Sequence, residues 1–303
     1  MKTDLNAVRG SVVKDAVGNP LPTALAMHDL SCFGKCALSI VLPTLSASGV
    51  QTVPVPTALL STQTDGFENY YFEALTSQMS SIARHLKSVN VSLQAIYTGF
   101  LGSDEQIDKV CEIIELFNKN EGGESPLLLI DPVMGDHGKL YSTYTEELML
   151  GMRRLCEKAD VITPNITEAC FLTDSEYVDT RRMSKDEVFL YASKISKKLQ
   201  RYGVKGIAIT GLHYDENKIA TYAYSKDEGE FLFGSEYIKQ SYPGTGDLFA
   251  SVLLGRLLKG GRFSEAVETA SNFTKKVIRY SSQFDYPIRN GVVFEPFLSE
   301  LAN

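Results

Sequence analysis

A mainly parallel α/β sheet with helices on both faces is the fold class this sequence predicts, on three observations. Short apolar strands alternate with helix-length segments, one strand is apolar throughout, and a glycine-rich turn runs straight into a helical pattern. Leu127-Leu128-Leu129-Ile130 is the apolar strand, of the kind buried on both faces. Tyr242-Pro243-Gly244-Thr245-Gly246-Asp247 is the turn, and Leu248, Phe249, Val252, Leu253 and Leu257 continue it at helical spacing until Gly260-Gly261. In such sheets ligands bind beyond the carboxyl ends of the strands, where the glycines and acids of this chain fall.

The elements follow in order. Residues 1–22 mix charges with Gly10, Gly18 and Pro20 without periodicity and are expected as an extension. Residues 23–303 are expected as a single domain, because no repeat or low-complexity linker divides them. Thr23–Met27 is the first buried strand, ended by His28-Asp29-Leu30-Ser31. A helix from Lys35 to Ser48, interrupted by Pro43, leads to a strand over 50–55, a polar loop over 61–66 and a helix near 68–89. Leu93–Tyr97 is a strand closed by Thr98-Gly99-Phe100, and Ser103 is the N-cap of the helix carrying Ile107, Val110 and Ile114. After Leu127–Ile130 come a helix near 145–158, a strand at 159–162, a helix at 184–202 and a strand at 204–209 ended by the turn Thr210-Gly211. A hairpin of 222–225 and 230–233 around Asp227-Glu228-Gly229 precedes the glycine turn, and a final helix occupies 264–281.

Composition narrows the function. The 303 residues are 44% hydrophobic and 22% charged, ordinary for a soluble globular protein. Thirty Lys and Arg against 37 Asp and Glu give a net charge of −7 with no block of like charge, which excludes a polyanion-binding arm and makes nucleic acid an unfit partner. No apolar run approaches a membrane span and the amino-terminal residues lack the apolar stretch of a signal peptide, so no membrane partner is expected and the expected location is cytoplasmic. Five cysteines without a Cys-x-x-Cys pair indicate neither a disulfide framework nor a zinc site; Cys32 and Cys36 could share a helix face, but the four histidines are scattered.

The glycine turn carries the chemistry. A helix start presents unpaired N–H groups and partial positive charge, and glycines without Cβ let an anion approach them. Gly244, Thr245 and Gly246 thus form an anion hole. Asp247 in the first turn either stabilises the helix dipole or acts as a general base beside a transferring phosphoryl group. No Gly-x-x-x-x-Gly-Lys-Ser/Thr motif is present, which argues against a P-loop enzyme.

Asp131-Pro132-Val133-Met134-Gly135-Asp136, Gly138-Lys139-Leu140-Tyr141, Thr163-Pro164-Asn165-Ile166-Thr167-Glu168, Thr210-Gly211 and Gly244-Thr245-Gly246-Asp247 occur in one order. The set resembles the ribokinase-like superfamily, and within it the vitamin B6 kinases, from about residue 23 onward. The resemblance implies a ribokinase-like fold and ATP-dependent phosphorylation of the 5′-hydroxymethyl group of pyridoxal, pyridoxine or pyridoxamine. It implies Asp247 as base, with Asp131, Asp136, Tyr141, Thr163, Asn165, Glu168 and Thr210 on the nucleotide side. Asp131, Asn165 and Glu168 would serve Mg2+, since several acids near a triphosphate repel it without a cation; a monovalent cation such as K+ and a homodimer are implied likewise. Taken locally, Asp131 also reads as a loop cap, Asn165 as a helix N-cap, Thr210 as a strand end and Tyr141 as a half-buried aromatic.

On the acceptor side the resemblance places Asp29 where relatives carry Ser, and Ser61-Thr62-Gln63-Thr64-Asp65 on a Ser-Asn-His-Thr-Gly segment, so that Gln63 replaces His and Asp65 replaces Gly. Thr98-Gly99-Phe100 matches a Thr-Gly-Tyr segment that lines the pyridine ring, with Phe100 keeping the ring face; Phe33 is either a second wall or part of the core. Asp29, Thr64, Asp65 and Phe100 are therefore expected at the vitamer, and the two carboxylates either favour an acceptor bearing a cationic amine or face solvent or the metal and discriminate nothing. A hydroxymethylpyrimidine kinase is the near alternative, and a vitamer-binding protein without turnover the alternative from another class. A sugar kinase fits less well, for want of an evident insertion that would form a lid.

Overall fold

A computed structural model describes residues 21–118, 125–141 and 144–302. All but the last two residues of the expected extension, 1–22, lie outside them. β1 (Thr23–Met27) is buried along its whole length and is followed by the short β2 (Leu30–Ser31), α1 (Leu38–Ala47), β3 (Gln51–Pro54) and β4 (Ala58–Leu60). β5 (Phe72–Ala74), α2 (Thr76–Ser88), β6 (Ala95–Thr98), α3 (Asp104–Leu116) and β7 (Leu127–Ile130) come next. The hairpin β8 (Gly135–Asp136) and β9 (Lys139–Leu140) leads to α4 (Glu146–Cys156), β10 (Val161–Ile162), α5 (Ile166–Leu172) and α6 (Lys185–Leu199). β11 (Gly206–Tyr214), β12 (Lys218–Ser225) and β13 (Gly229–Glu236) form a meander before α7 (Thr245–Leu258) and α8 (Phe263–Ser281).

The large sheet has the order β3-β1-β6-β7-β10-β11-β12-β13. Its strands from β3 to β11 pair in parallel, while β12 and β13 are antiparallel. Side chains alternate across each strand, so one face of β1, β6 and β7 gives Leu25, Ile96 and Ile130 to a core shared with α2 through α6. The other face gives Ala24, Ala26, Tyr97 and Leu129 to a core shared with α1, α7 and α8. This two-sided burial is why Leu127–Ile130 reads as an unbroken apolar run. Among the described residues no helix is long and apolar enough to cross a membrane.

Three elements differ from the sequence-based expectation. The helix expected over 68–89 begins only at Thr76, because Phe72–Ala74 pairs antiparallel with β4, which itself pairs in parallel with β2. Together they make a second, three-stranded sheet. Nor does the strand expected to end at Thr210-Gly211 stop there. Gly211 takes a left-handed φ of 75° and the register shifts between Ile209 and Leu212, so β11 bulges and runs on to Tyr214. The expected hairpin is accordingly the far part of a longer meander.

Leu129 is fully buried between the sheet and the α7 side. Leu129→Ala is expected to lower unfolding free energy by about 2–5 kcal/mol; urea denaturation measures it, and a loss below about 1 kcal/mol would mean that this face is loosely packed.

Candidate active site

The site grows from the start of α7. Gly244 takes a left-handed φ of 78°, and a Cβ there would lie 2.4 Å from the Lys35 carbonyl oxygen, so only glycine lets the α7 start approach the segment before α1. The Thr245 hydroxyl donates to the Tyr242 carbonyl at 3.1 Å, which closes the turn. Asp247 then sits in the first turn of α7, with its side chain 12% exposed.

The Asp247 carboxylate also faces the start of α1. Its Oδ2 accepts the Ala37 N–H at 2.9 Å and lies 3.6 Å from Cys36 Sγ, while its Oδ1 lies 3.8 Å from His28 Nδ1. Ala37 holds a left-handed φ of 50° to aim that N–H. Burial raises the Asp247 pKa to about 6, and the charge of Asp29 adds to the rise, against the lowering by the Ala37 N–H and Cys36. Asp247 is therefore mainly ionised at neutral pH, yet basic enough to accept a proton.

Asp131 follows β7 and is 5% exposed. Its Oδ1 accepts the Thr163 hydroxyl at 3.0 Å, and its Oδ2 lies 3.8 Å from where a Cβ on Gly246 would stand. Burial first, and then the charge of Asp247, raise its pKa. The structure thus brings Asp131, Thr163, Gly246 and Asp247 together.

A second group lies at the start of α5. Asn165 and Glu168 form a capping box: Glu168 N–H donates to Asn165 Oδ1 at 3.0 Å, and Glu168 Oε2 accepts the Asn165 N–H at 2.7 Å. Glu168 Oε1 accepts the Met134 N–H at 3.1 Å, and Asn165 Nδ2 donates to the Gly135 carbonyl at 2.8 Å. Asn165 is bridged in parallel to Thr210, whose N–H donates to the Pro164 carbonyl. Asp136 and Tyr141 are exposed beside this group, Asp136 on β8 and Tyr141 tied by its N–H to the Met134 carbonyl. Both local readings of Asn165, cap and site neighbour, are thus compatible.

The acids here have no basic partner: among the described residues no Lys or Arg pairs with Asp131, Glu168 or Asp247. Burial and the charge of Asp131 push the Glu168 pKa well up. No three His, Cys, Asp or Glu of the described residues converge into a metal cage. A hard cation held mostly by phosphate oxygens, with one or two carboxylates, fits such a donor set.

The acceptor-side residues are spread. Asp29 is buried and accepts the Ser31 hydroxyl at 2.9 Å; burial raises its pKa. Phe100 is half-buried against the core on the α2–α6 side. Thr64 and Asp65 are exposed, and Phe33 is exposed with its ring edge against Phe67 rather than in the core. The buried member of that loop is Gln63, whose Nε2 donates to the carbonyls of Asp65 at 2.5 Å and Arg289 at 2.8 Å. Sequence reasoning did not single out His28, the Ala37 N–H or the tethering role of Gln63. A histidine closing a buried strand was the one available signal.

Comparison with known proteins adds the following. A model of the phosphomethylpyrimidine kinase family matches residues 41–290. A solved structure named as a phosphomethylpyrimidine kinase, from Bacteroides thetaiotaomicron in a crystal form with pyridoxal, is 36% identical; the match has a TM-score of 0.83 and covers 93% of this chain and 96% of that one. Pyridoxal kinase from Lactobacillus plantarum is 27% identical, with a TM-score of 0.81 over 93% of this chain and 96% of its own. A hydroxymethylpyrimidine/phosphomethylpyrimidine kinase of Staphylococcus aureus is 27% identical over 274 residues, 88% of this chain and 86% of that protein.

The raised Asp247 pKa has a consequence for stability. The folded protein holds this proton up to about pH 6, above the ordinary carboxylate value of 3.8, so the group contributes stability below pH 4 that is lost as pH rises to 6. Asp247→Asn is expected to flatten the pH dependence of unfolding free energy in that window by roughly 3 kcal/mol. Urea titrations of both proteins at several pH values check this, and parallel curves would contradict it.

Proposed function

The chain belongs to the phosphomethylpyrimidine kinase family, and from that premise we propose that it is an ATP-dependent kinase acting on the 5′-hydroxymethyl group of a vitamin B6 vitamer. The observation that carries this is the buried Asp247 carboxylate at the first turn of α7, with a pKa raised to about 6, beside the N–H groups of the glycine turn. Asp247 takes the acceptor hydroxyl proton while the N–H groups of Gly244, Thr245 and Gly246 hold the transferring phosphoryl group. Asp131, Asn165 and Glu168 serve the metal–triphosphate side, with Asp136, Tyr141, Thr163 and Thr210 beside the nucleotide. Mg2+, when bound, offsets the triphosphate charge.

The pyridoxal in the Bacteroides crystal form and the Lactobacillus pyridoxal kinase support a B6 acceptor. The family model and the Staphylococcus relative favour hydroxymethylpyrimidine as a second acceptor reading. Both acceptors present a hydroxymethyl group on a flat heteroaromatic ring, so the transfer step is the same. Asp29, as a buried carboxylate near Asp247, is the residue placed to favour an acceptor carrying a cationic amine. Asp65, being exposed, is less suited to that role.

The deciding experiment is an ATP-dependent phosphorylation panel of pyridoxal, pyridoxine, pyridoxamine, hydroxymethylpyrimidine and ribose. Turnover highest on a B6 vitamer is expected; turnover confined to hydroxymethylpyrimidine would replace the acceptor, and turnover on none would reject the kinase. With the preferred acceptor, Asp247→Asn is expected to lower kcat by about 10²–10⁴, and parental kcat in that variant would remove Asp247 from the mechanism. Glu168→Gln and Asn165→Ala should each raise the Mg2+ concentration for half-maximal rate several-fold, roughly the loss of one weak ligand interaction. Unchanged Mg2+ titrations would leave those two residues as the capping box alone.

A further inference from the structure

His28 follows β1, is fully buried, and neither of its ring nitrogens has a hydrogen-bond partner in the protein. A buried polar group without a partner is costly, so a histidine kept in this place needs a reason. Its surroundings fix the ring. Tyr97 packs edge-on against it with centroids 4.3 Å apart, and a Cβ on Gly99 would lie 2.4 Å from Nδ1, so glycine at 99 is what leaves room for the imidazole. The polar atom that Nδ1 faces is Oδ1 of Asp247, at 3.8 Å. That separation exceeds a hydrogen bond, as separations between catalytic groups often do before substrate closes the site.

We propose that His28 is a positioning residue for Asp247: its uncharged imidazole, with the proton on Nδ1, donates to Oδ1 and orients the carboxylate whose Oδ2 is held by the Ala37 N–H. The inference rests on reading Asp247 as the general base. Burial lowers the His28 pKa to about 3, so the ring acts as an oriented dipole and not as a counter-charge. A cation there would hold Asp247 ionised and weaken it as a base; a neutral donor orients the carboxylate at less cost to its basicity. Each carboxylate oxygen keeps a lone pair for the acceptor hydroxyl. The other titratable groups near Asp247 are Asp29 beyond β1, Cys36 before α1 and Asp131 beyond β7, with Tyr97 on β6 against the imidazole. Asp29 and Asp131 add only negative charge or a competing acid, and the Cys36 thiol is already directed at Oδ2, so among these groups His28 is the one that faces Oδ1.

The test compares His28→Leu, which removes the donor, with His28→Asn, which restores an amide N–H near the Nδ1 position. With the acceptor found by the panel, His28→Leu is expected to lower kcat about 10- to 100-fold while the KM for ATP stays within about 2-fold, and to move the acidic limb of the pH profile upward. His28→Asn should recover most of both. In an Asp247→Asn background, His28→Leu should cost little more, because the two act as a unit. Parental kcat with an unmoved acidic limb, or an equal loss in both backgrounds, would overturn the inference. A substrate-free readout separates it from the proposed function: the 13C titration of the Asp247 carboxyl should shift to higher pH in His28→Leu and return in His28→Asn. An unmoved midpoint overturns the role of His28 even if the panel identifies an acceptor. If His28→Leu does not fold, His28→Asn and His28→Gln carry the same titration, and a donor-bearing variant that matches neither parental kcat nor parental midpoint overturns it.

Discussion

Two helix starts share one buried carboxylate, and the arrangement of the site depends on that contact. Asp247 lies in the first turn of α7 and accepts the Ala37 N–H at the start of α1, so the positive ends of both helix dipoles converge on it. The convergence requires close backbone approach: Gly244 has no room for a Cβ against the Lys35 carbonyl, and Ala37 is held at positive φ. Burial would otherwise neutralise the acid, and the Ala37 N–H and the Cys36 thiol partly restore its charge. A pKa of about 6 is the balance of these opposing effects, and that is the range in which a carboxylate is both ionised at neutral pH and a competent base.

The same balance explains why the neighbouring acids are pushed so high. Asp131 and Glu168 are buried, repel one another, and take compensation from Thr163 and two backbone N–H groups instead of from lysine or arginine. A basic side chain here would neutralise the acids permanently and compete with a metal–nucleotide complex for them. The compensation is thus incomplete, and a cation brought in with phosphate oxygens would relieve the electrostatics of such a site. The cost falls on the folded state without ligand, and the apolar cores on both sheet faces offset it.

How much of this was legible in the sequence follows from the range of the forces involved. β1 and β7 have the bounds that their apolar runs indicate, and Ser103 caps α3 as its position requires, because burial period and capping are local signals. β5 is hidden inside a helical pattern because its structure comes from pairing with β4, in a ladder that runs from Ala58–Ala74 to Leu60–Phe72 and so joins residues beyond the reach of local periodicity. The bulge at Gly211 reads as a strand end in the sequence, since a glycine at positive φ serves either, and the choice rests on whether the partner strand continues. The motif acids and Asn165 converge at the strand ends that the alternating pattern marks. His28 and Gln63 went unread because each matters through contacts with residues distant in sequence, Asp247 and Arg289.

The residues proposed for phosphoryl transfer and those proposed for the acceptor differ in how they are built. Asn165, Glu168 and Asp247 are held by backbone groups at helix starts and Asp131 by the Thr163 hydroxyl beyond β10, so changing one of them disturbs the capping or packing of an element. Thr64 and Asp65 instead ride on a loop tethered by Gln63 to the Arg289 carbonyl, and Arg289 stacks on Phe67 of the same loop. Substitutions at those exposed positions alter the loop surface without touching the sheet. If the proposed roles hold, a scaffold of this kind would exchange one flat hydroxymethyl heteroaromatic acceptor for another by small changes in the loop, with the transfer chemistry unchanged. That is a physical reason why relatives named for pyridoxal and for hydroxymethylpyrimidine resemble this chain to a similar degree, at 27% identity each.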